Sequence, residues 1–421
     1  MNDENKKTAT AILHYTAPPV IGGVEAVIQA HCQVFGRFDC PVGVIAGQGE
    51  EGQLGAGTKL HLIPEMNTQH EEVLKISRDL EEGHVPNTFD PLSEYLYNAL
   101  EGILVHYDNL IVHNVLTKHF NIPLTNALIK LVEDGKIPNC IGWCHDFTWT
   151  SPNSRSKVHE GHPWDLLRTF NPHIKYVTVS QERQETLAQL FNQPEDEISV
   201  IYNGVDPETL LGLSREGKAL INRLNLFAGE LIFLMPVRVT KAKNIEYALD
   251  LLTALKNLGV SPKLILTGPP DPHSDTIMDY YRNLQKKRQE LDLIDELHFI
   301  YDSGPEQGEP YEIEMDIVGE LYRVSDIMFM PSHREGFGMP VLEAGLVGIP
   351  AVCTEAVPAA VEIGGKDVIL FDKNEDPERL AKRILEWSQT NSQYHFRRLV
   401  RTKYTWDAIF EQQILPLLDN P

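Results

Sequence analysis

What most limits the fold of this chain is a repeated alternation. Short apolar, β-branched runs follow one another, each separated from the next by stretches with helical patterning. The first set is Thr10–Tyr15, Val42–Ala46, Leu60–Ile63, Asn109–His113, Cys140–Cys144, Tyr176–Val179 and Ile198–Ile201. The second is Leu231–Pro236, Lys263–Thr267, Leu297–Tyr301, Ile327–Met330, Ala351–Cys353 and Ile369–Phe371. Strands that alternate with helices build parallel sheets covered on both faces. Runs that are apolar at nearly every position fit strands buried from both sides. The turn formers Asn203-Gly204-Val205-Asp206-Pro207 stand between the two sets. The expected fold is α/β, with two doubly wound, Rossmann-like domains at 1–206 and 207–404, and 421 residues are enough for both. An amphipathic tail from about Trp406 to Leu418 either crosses back to the first domain or packs locally.

Charge and cysteine usage narrow the function classes. With 37 basic and 60 acidic side chains the net charge is −23, a surface that repels phosphate backbones and excludes nucleic acid as a partner. Five cysteines (Cys32, Cys40, Cys140, Cys144 and Cys353) are too few and too scattered for a disulfide framework. Cys140 and Cys144 lie in a strand-like run with no second pair to complete a zinc site, so core packing is expected and no metal. The apolar run Ala9–Leu13 is too brief for a signal peptide, and no run reaches the roughly 18 apolar residues of a membrane span. The expectation is a cytoplasmic enzyme. The locally basic stretch from His395 to Arg401 is either an exposed helix face or a peripheral membrane contact.

The most specific motif runs from Pro331 to Ala344, directly after the apolar run Ile327–Met330. It therefore sits at the carboxyl end of a strand, where doubly wound sheets bind ligands. Gly336 and Gly338 allow the backbone to approach a ligand, and a helix opening near Pro340 turns free amides toward the loop. Glu335 in the loop and Glu343 in the helix can reach different ends of one elongated ligand and accept hydrogen bonds from its hydroxyls. The second motif, Pro236 to Asn244, carries Arg238 and Lys243 on one loop, two cations able to neutralise a departing diphosphate. Lys241 reads as solvated. In the first domain, Gly22-Gly23 precedes a helix from about Val24, and His145-Asp146 follows Ile141–Cys144. His145 either bonds a sugar hydroxyl or is structural. Trp149, His159, His162 and Trp164 either line an acceptor site or pack in the interior. No Gly-x-Ser-x-Gly elbow and no His-Glu-x-x-His helix is present, which removes support for hydrolases.

Taken together, the Glu335 to Glu343 motif, Arg238 with Lys243, Asn203-Gly204-Val205-Asp206 and Gly22-Gly23 resemble the family-4 retaining glycosyltransferases of the GT-B fold. The resemblance runs along nearly the whole chain. It implies two Rossmann-like domains facing a cleft, an acceptor-side first domain with the tail 405–421 crossing back to it, and a second domain that holds a nucleotide diphosphate sugar. It also implies transfer of a hexose, from UDP-glucose or GDP-mannose, to an acceptor, with retention and without a metal or other cofactor. Glu335 would meet hexose hydroxyls, the amides of Gly336, Phe337, Gly338 and Met339 the sugar and phosphate, and Glu343 the ribose. Arg238 and Lys243 would stabilise the diphosphate, Gly23 beside Gly22 would approach the donor from the other side, and His145 would meet the sugar near its 6-hydroxyl. Ala356 to Glu362 departs from the Gly-Gly-x-Pro-Glu stretch common in that family. The rival functions are a nucleotide-sugar epimerase and a nucleotide-sugar-binding scaffold without catalysis.

Overall fold

A computed structural model describes residues 7–271, 273–306 and 308–419. The outermost residues of the expected first domain and tail, 1–6, 420 and 421, lie outside the described residues. The chain divides into two compact units, Met1–Gly204 with Tyr404–Pro421, and Val205–Lys403.

The first unit holds a seven-stranded parallel sheet: β1 (Thr10–Leu13), β2 (Val42–Ala46), β3 (Lys59–Leu62), β4 (Asn109–His113), β5 (Asn139–Cys144), β6 (Ile174–Thr178) and β7 (Ile198–Val200), in the order β3-β2-β1-β4-β5-β6-β7. Ile12 lies beside Val44 of β2 and Ile111 of β4. Successive strand residues point to opposite faces. Ala11, Leu13, Leu110 and Val112 accordingly enter one apolar core, while Ile12, Val44, Ile111 and Ile141 enter another. The sheet is thus covered on both sides, which is why its strands lack the polar alternation of a half-exposed sheet. Helix α1 (Gly23–Arg37) belongs to the second of these cores through Val27, Ile28, Cys32, Val34 and Phe35.

The tail packs on the first unit, against α1. The Phe410 ring lies 4.8 Å from that of Phe35, Trp406 lies edge-on to His31, and Asn139 donates to the Leu417 carbonyl at 3.0 Å. It is not one regular helix. A turn of π-helix over Phe410–Ile414 joins the short helices Trp406–Ile409 and Leu415–Asp419.

The second unit holds a six-stranded parallel sheet: β8 (Leu231–Met235), β9 (Pro262–Leu266), β10 (Leu297–Phe299), β11 (Ile327–Met330), β12 (Ala351–Thr354) and β13 (Ile369–Phe371), in the order β10-β9-β8-β11-β12-β13. Helix α2 (Ile245–Asn257) follows β8, and α3 (Met339–Val347) follows β11. Both sheets share one winding rule. The chain moves outward in one direction for three strands, then returns to the centre and moves the other way. Each unit is therefore a doubly wound α/β layer with a switch point beside its first strand.

In the basic stretch near the end of the second unit the three arginines pair with carboxylates, while His395 and Phe396 are exposed. Arg401 is buried and donates to Asp326 Oδ2 at 2.7 Å and to the carbonyls of Gly229 and Glu230. Arg398 pairs with Glu230 at 2.6 Å, and Arg397 approaches Asp326 at 4.0 Å. Asp326 is a buried carboxylate that needs these cations. Three charges that a membrane surface would have required are engaged inside the unit. No helix among the described residues is long and apolar enough to cross a membrane.

Candidate active site

In the second unit the switch point lies between β8 and β11, and the loops after these two strands carry both motifs. The β8 loop passes through one 3-10 turn at Lys241–Lys243 and enters α2 at Asn244, whose φ of +54° lets the chain reverse. The β11 loop is tied to it by the His333 amide, which donates to the Ala242 carbonyl at 2.8 Å. This brings Lys243 and Glu335 together. Lys243 Nζ lies 2.5 Å from Glu335 Oε1, with side chains 20% and 10% exposed. Ser332 Oγ donates to the same carboxylate oxygen at 2.8 Å. The Ser332 carbonyl in turn accepts from Thr354 Oγ1 at 2.6 Å. Glu335 Oε2 accepts no hydrogen bond among the described residues and is free for a ligand hydroxyl.

Helix α3 opens directly behind this carboxylate. Gly338 precedes it with φ +104°, and a Cβ there would stand 2.5 Å from Val357 Cγ1, so only glycine fits. No side chain caps the helix. In its first turn Pro340 has no N–H and Val341 donates to the Gly338 carbonyl at 3.0 Å, so the Met339 amide and the positive end of the helix dipole are what it offers an anion. Gly336 is unobstructed, and Phe337 and Met339 are exposed beside it. Glu343, farther along α3, does not join the Glu335 cluster. Its Oε2 accepts a 2.6 Å hydrogen bond from the hydroxyl of buried Tyr322. Burial first, and the Glu343 carboxylate second, push the Tyr322 pKa upward, so the phenol stays a donor. Arg238 is exposed on the β8 loop and pairs with no carboxylate among the described residues. Lys241 is exposed as well.

The switch point of the first unit carries a different chemistry. His145, at the end of β5, places Nε2 3.2 Å from Nδ1 of buried His113, the last residue of β4. Asn114, with φ +55°, accepts the amides of His145 (3.2 Å) and Asp146 (3.0 Å) on its side-chain oxygen. His14 Nδ1 meets the His113 carbonyl at 2.7 Å, and its Nε2 stands 3.8 Å from Glu25 Oε1. Glu25 also accepts from Thr16 Oγ1 at 2.5 Å. Gly22 is extended and lies against the Glu25 carboxylate, where a Cβ would collide, whereas a Cβ at Gly23 would meet nothing. Helix α1 begins at Gly23 itself rather than at Val24. Burial lowers the His145 pKa to about 4 against the opposing pull of Asp146, so the ring is neutral near pH 7.

Of the aromatic residues after β5, Trp149 and Trp164 pack in the interior, His159 is half-buried and His162 is exposed. Trp149 and Trp164 are buried, Trp149 donates its indole N–H to the Trp164 carbonyl, and the guanidinium groups of Arg155 and Arg168 lie over the Trp149 ring. Both tryptophans are nearly fully covered, so neither presents a broad ring face to solvent. All five cysteines are free and buried. Residues that the sequence left without a role, Ser332, Tyr322, His113 and Asn114, orient those that had one. Their one sequence signal was position: Ser332, His113 and Asn114 stand at the carboxyl ends of switch-point strands.

Residues 218–398 match the family described as glycosyl transferases group 1. An uncharacterized glycosyltransferase of Methanocaldococcus jannaschii is 28% identical over 266 residues, 60% of this chain and 62% of that protein. The chain thus spans less than two thirds of that relative's length. A mannosylglucosylglycerate synthase of Petrotoga mobilis is 24% identical over 323 residues, 72% of this chain and 73% of that protein. Among solved structures, a glycosyltransferase from Rickettsia africae ESF-5 aligns over 99% of this chain and 100% of that one, at 16% identity and a TM-score of 0.37. The family match lies within the second unit, and over it the chain is similar to the glycosyl transferases group 1 family.

Proposed function

We propose that this chain transfers a hexosyl group from a nucleoside diphosphate sugar, UDP-glucose or GDP-mannose, to an acceptor hydroxyl, with retention at the anomeric carbon. The observation that carries this reading is the Lys243–Glu335 pair at the switch point of the second unit, directly before the uncapped N-terminus of α3. One carboxylate oxygen is held by Lys243 and Ser332, and the other is open to sugar hydroxyls. In the same reading the Met339 amide and the α3 dipole take the diphosphate, Glu343 takes the ribose, and Arg238 with Lys243 balances the charge that grows on the leaving group. The bond from C1 to the phosphate oxygen breaks, the bond from C1 to the acceptor oxygen forms on the same face, and a phosphate oxygen takes the acceptor's proton. Two protein cations then do the work without a metal or other cofactor. The first unit receives the acceptor, with His145 bonding the transferred sugar. Five free thiols suit a reducing, cytoplasmic setting.

The test is calorimetry of UDP-, GDP- and ADP-hexoses with chelator present. One donor should bind well above its bare nucleoside diphosphate. Binding that appears only with added divalent metal would remove the metal-free part of the reading. No binding by any donor would sink the transferase reading, and the nucleotide-sugar-binding scaffold with it.

A further inference from the structure

We propose that His113 is a positioning residue: it fixes the tautomer of His145, so that His145 presents Nδ1–H as a hydrogen-bond donor at the carboxyl edge of the first sheet. The functional part of this inference rests on the transferase reading; the tautomer itself does not.

His113 Nδ1 and His145 Nε2 are 3.2 Å apart, with ring planes within 29° of each other. Two neutral imidazoles at that distance share one hydrogen, and the nitrogen that carries it decides both tautomers. Burial lowers the pKa of His113 well below its usual range and that of His145 to about 4, which supports two neutral rings. In one arrangement His145 Nε2–H donates. His113 must then carry its own hydrogen on Nε2, which is buried and has no partner. In the other, His113 Nδ1–H donates and its Nε2 is a bare lone pair. A buried N–H without an acceptor is the rarer and costlier defect. The second arrangement therefore holds, and a neutral His145 that accepts on Nε2 must carry its hydrogen on Nδ1.

The surroundings leave His113 little freedom to flip. His31 and Trp143 pack on its ring at 5.2 and 5.6 Å, and its own carbonyl is taken by His14. His31, whose two nitrogens are both buried without partners, offers no competing acceptor bond to His113. His145 is fixed from its backbone by Asn114. His145 Nδ1 makes no hydrogen bond among the described residues and is not one of the sealed polar atoms. It is the nitrogen left for a ligand. A neutral donor there selects a hydroxyl oxygen able to accept, and does not act as a general acid or base near pH 7.

The experiment uses the full chain labelled with 15N-histidine. Long-range proton–nitrogen spectra at pH 7, with the His145 signals assigned through His145→Gln, should show the Nδ1–H tautomer. His113→Asn keeps a donor near the Nδ1 position and should preserve that pattern. His113→Phe removes the donor and should give a mixture. With an active donor and acceptor pair, His113→Phe should lower kcat about tenfold, the worth of one hydrogen bond of roughly 1.4 kcal/mol, and His113→Asn should restore most of it. A wild-type His145 in the Nε2–H form overturns the proposal, and so does an unchanged tautomer in folded His113→Phe. Should His113→Phe fail to fold, the wild-type spectrum decides alone. Failure to find any sugar donor would leave these spectra unaffected, which separates this inference from the transferase reading.

Discussion

Replacing Lys243 with alanine should produce two losses that can be separated. The first is stability. Removing one partner from a fully buried ion pair costs about 3–5 kcal/mol, whereas an exposed pair is worth about 0–1 kcal/mol. With side chains 20% and 10% exposed this pair lies nearer the buried limit, but Ser332 Oγ stays 2.8 Å from the abandoned carboxylate. About 2 kcal/mol is the resulting expectation, or about 4–8 °C in the Tm of a unit of this size. The second loss is turnover. A cation that acts on leaving-group charge should be worth about 10²–10³ in kcat. Adding Glu335→Gln to the same chain removes the stranded charge. It should return over half of the lost stability and none of the turnover. Thermal unfolding reads the first quantity, and release of nucleoside diphosphate from the donor reads the second. Wild-type turnover in Lys243→Ala would remove Lys243 from the diphosphate. A double variant no more stable than the single one would refute the stranded-charge argument.

Tyr322→Phe removes the 2.6 Å bond to Glu343 and should cost about 1.5 kcal/mol of stability. Calorimetry should show equal weakening, several-fold, for donor and bare nucleoside diphosphate, and a loss confined to the sugar donor would contradict the ribose assignment of Glu343. Gly338→Ala forces φ +104° on a residue with a Cβ and should destabilise the second unit by about 1–3 kcal/mol, while Gly336→Ala, with open space around it, should unfold like wild type. Equal melting of the two variants would sink that distinction. Burial lowers the pKa of His31 to about 3 and of His119 and His145 to about 4, all in the first unit, against His298, to about 4, in the second. The unfolded chain binds these protons near pH 6.5 and the folded chain does not, so the stability they lend is complete above 6.5 and falls toward pH 4 by up to about 1.4 kcal/mol per unit per group. Tryptophan fluorescence reports chiefly the first unit through Trp143, Trp149, Trp164 and Trp406, and should show acid unfolding ahead of the second unit; a flat response from pH 6.5 to 4 would refute the burial argument.

The sheets were legible because burial on both faces leaves an unmixed apolar signature. Val42–Ala46, Asn109–His113, Ile327–Met330 and Ile369–Phe371 are strands over the very residues the sequence marks. Elsewhere the ends moved by one or two residues. Tyr176–Val179 became Ile174–Thr178, since strand ends depend on pairing partners that composition does not encode. The tail's amphipathic pattern was readable, but not its π turn, because one extra residue per turn leaves the apolar stripe almost unchanged. At the site, the motif residues Lys243 and Glu335 could be named from charge and position. Their pairing could not, because it depends on how two loops 92 residues apart fold over one switch point. Tyr322 was out of reach for the same reason: it lies in a different helix from Glu343 and looks like any core aromatic. The stretch after β5 left two readings open, an acceptor site or interior packing. Composition could not decide between them; the burial of Trp149 and Trp164, with Arg155 and Arg168 on the Trp149 ring, favours packing for the tryptophans.

The two switch points are built on one winding and filled with opposite chemistry. In the second unit the loops after β8 and β11 carry Arg238, Lys243 and Glu335 and stand before a helix dipole, an arrangement suited to a ligand that is itself charged. In the first unit the corresponding ends of β1 and β4, with β5, carry His14, His113 and His145, and burial lowers the pKa of all three. A neutral imidazole offers direction without a field, whereas an ammonium offers a field with little direction. A reaction that moves a neutral sugar off an anionic leaving group asks for both. It needs fixed charge where the phosphate departs and uncharged hydrogen bonding where hydroxyls must be told apart. Exchanging the two chemistries should therefore fail unevenly. A histidine at 243 would keep some attraction for phosphate at pH 5 and lose it by pH 8, whereas a lysine at 113 would place an unpaired cation in the interior of the first unit and cost the fold before it cost specificity.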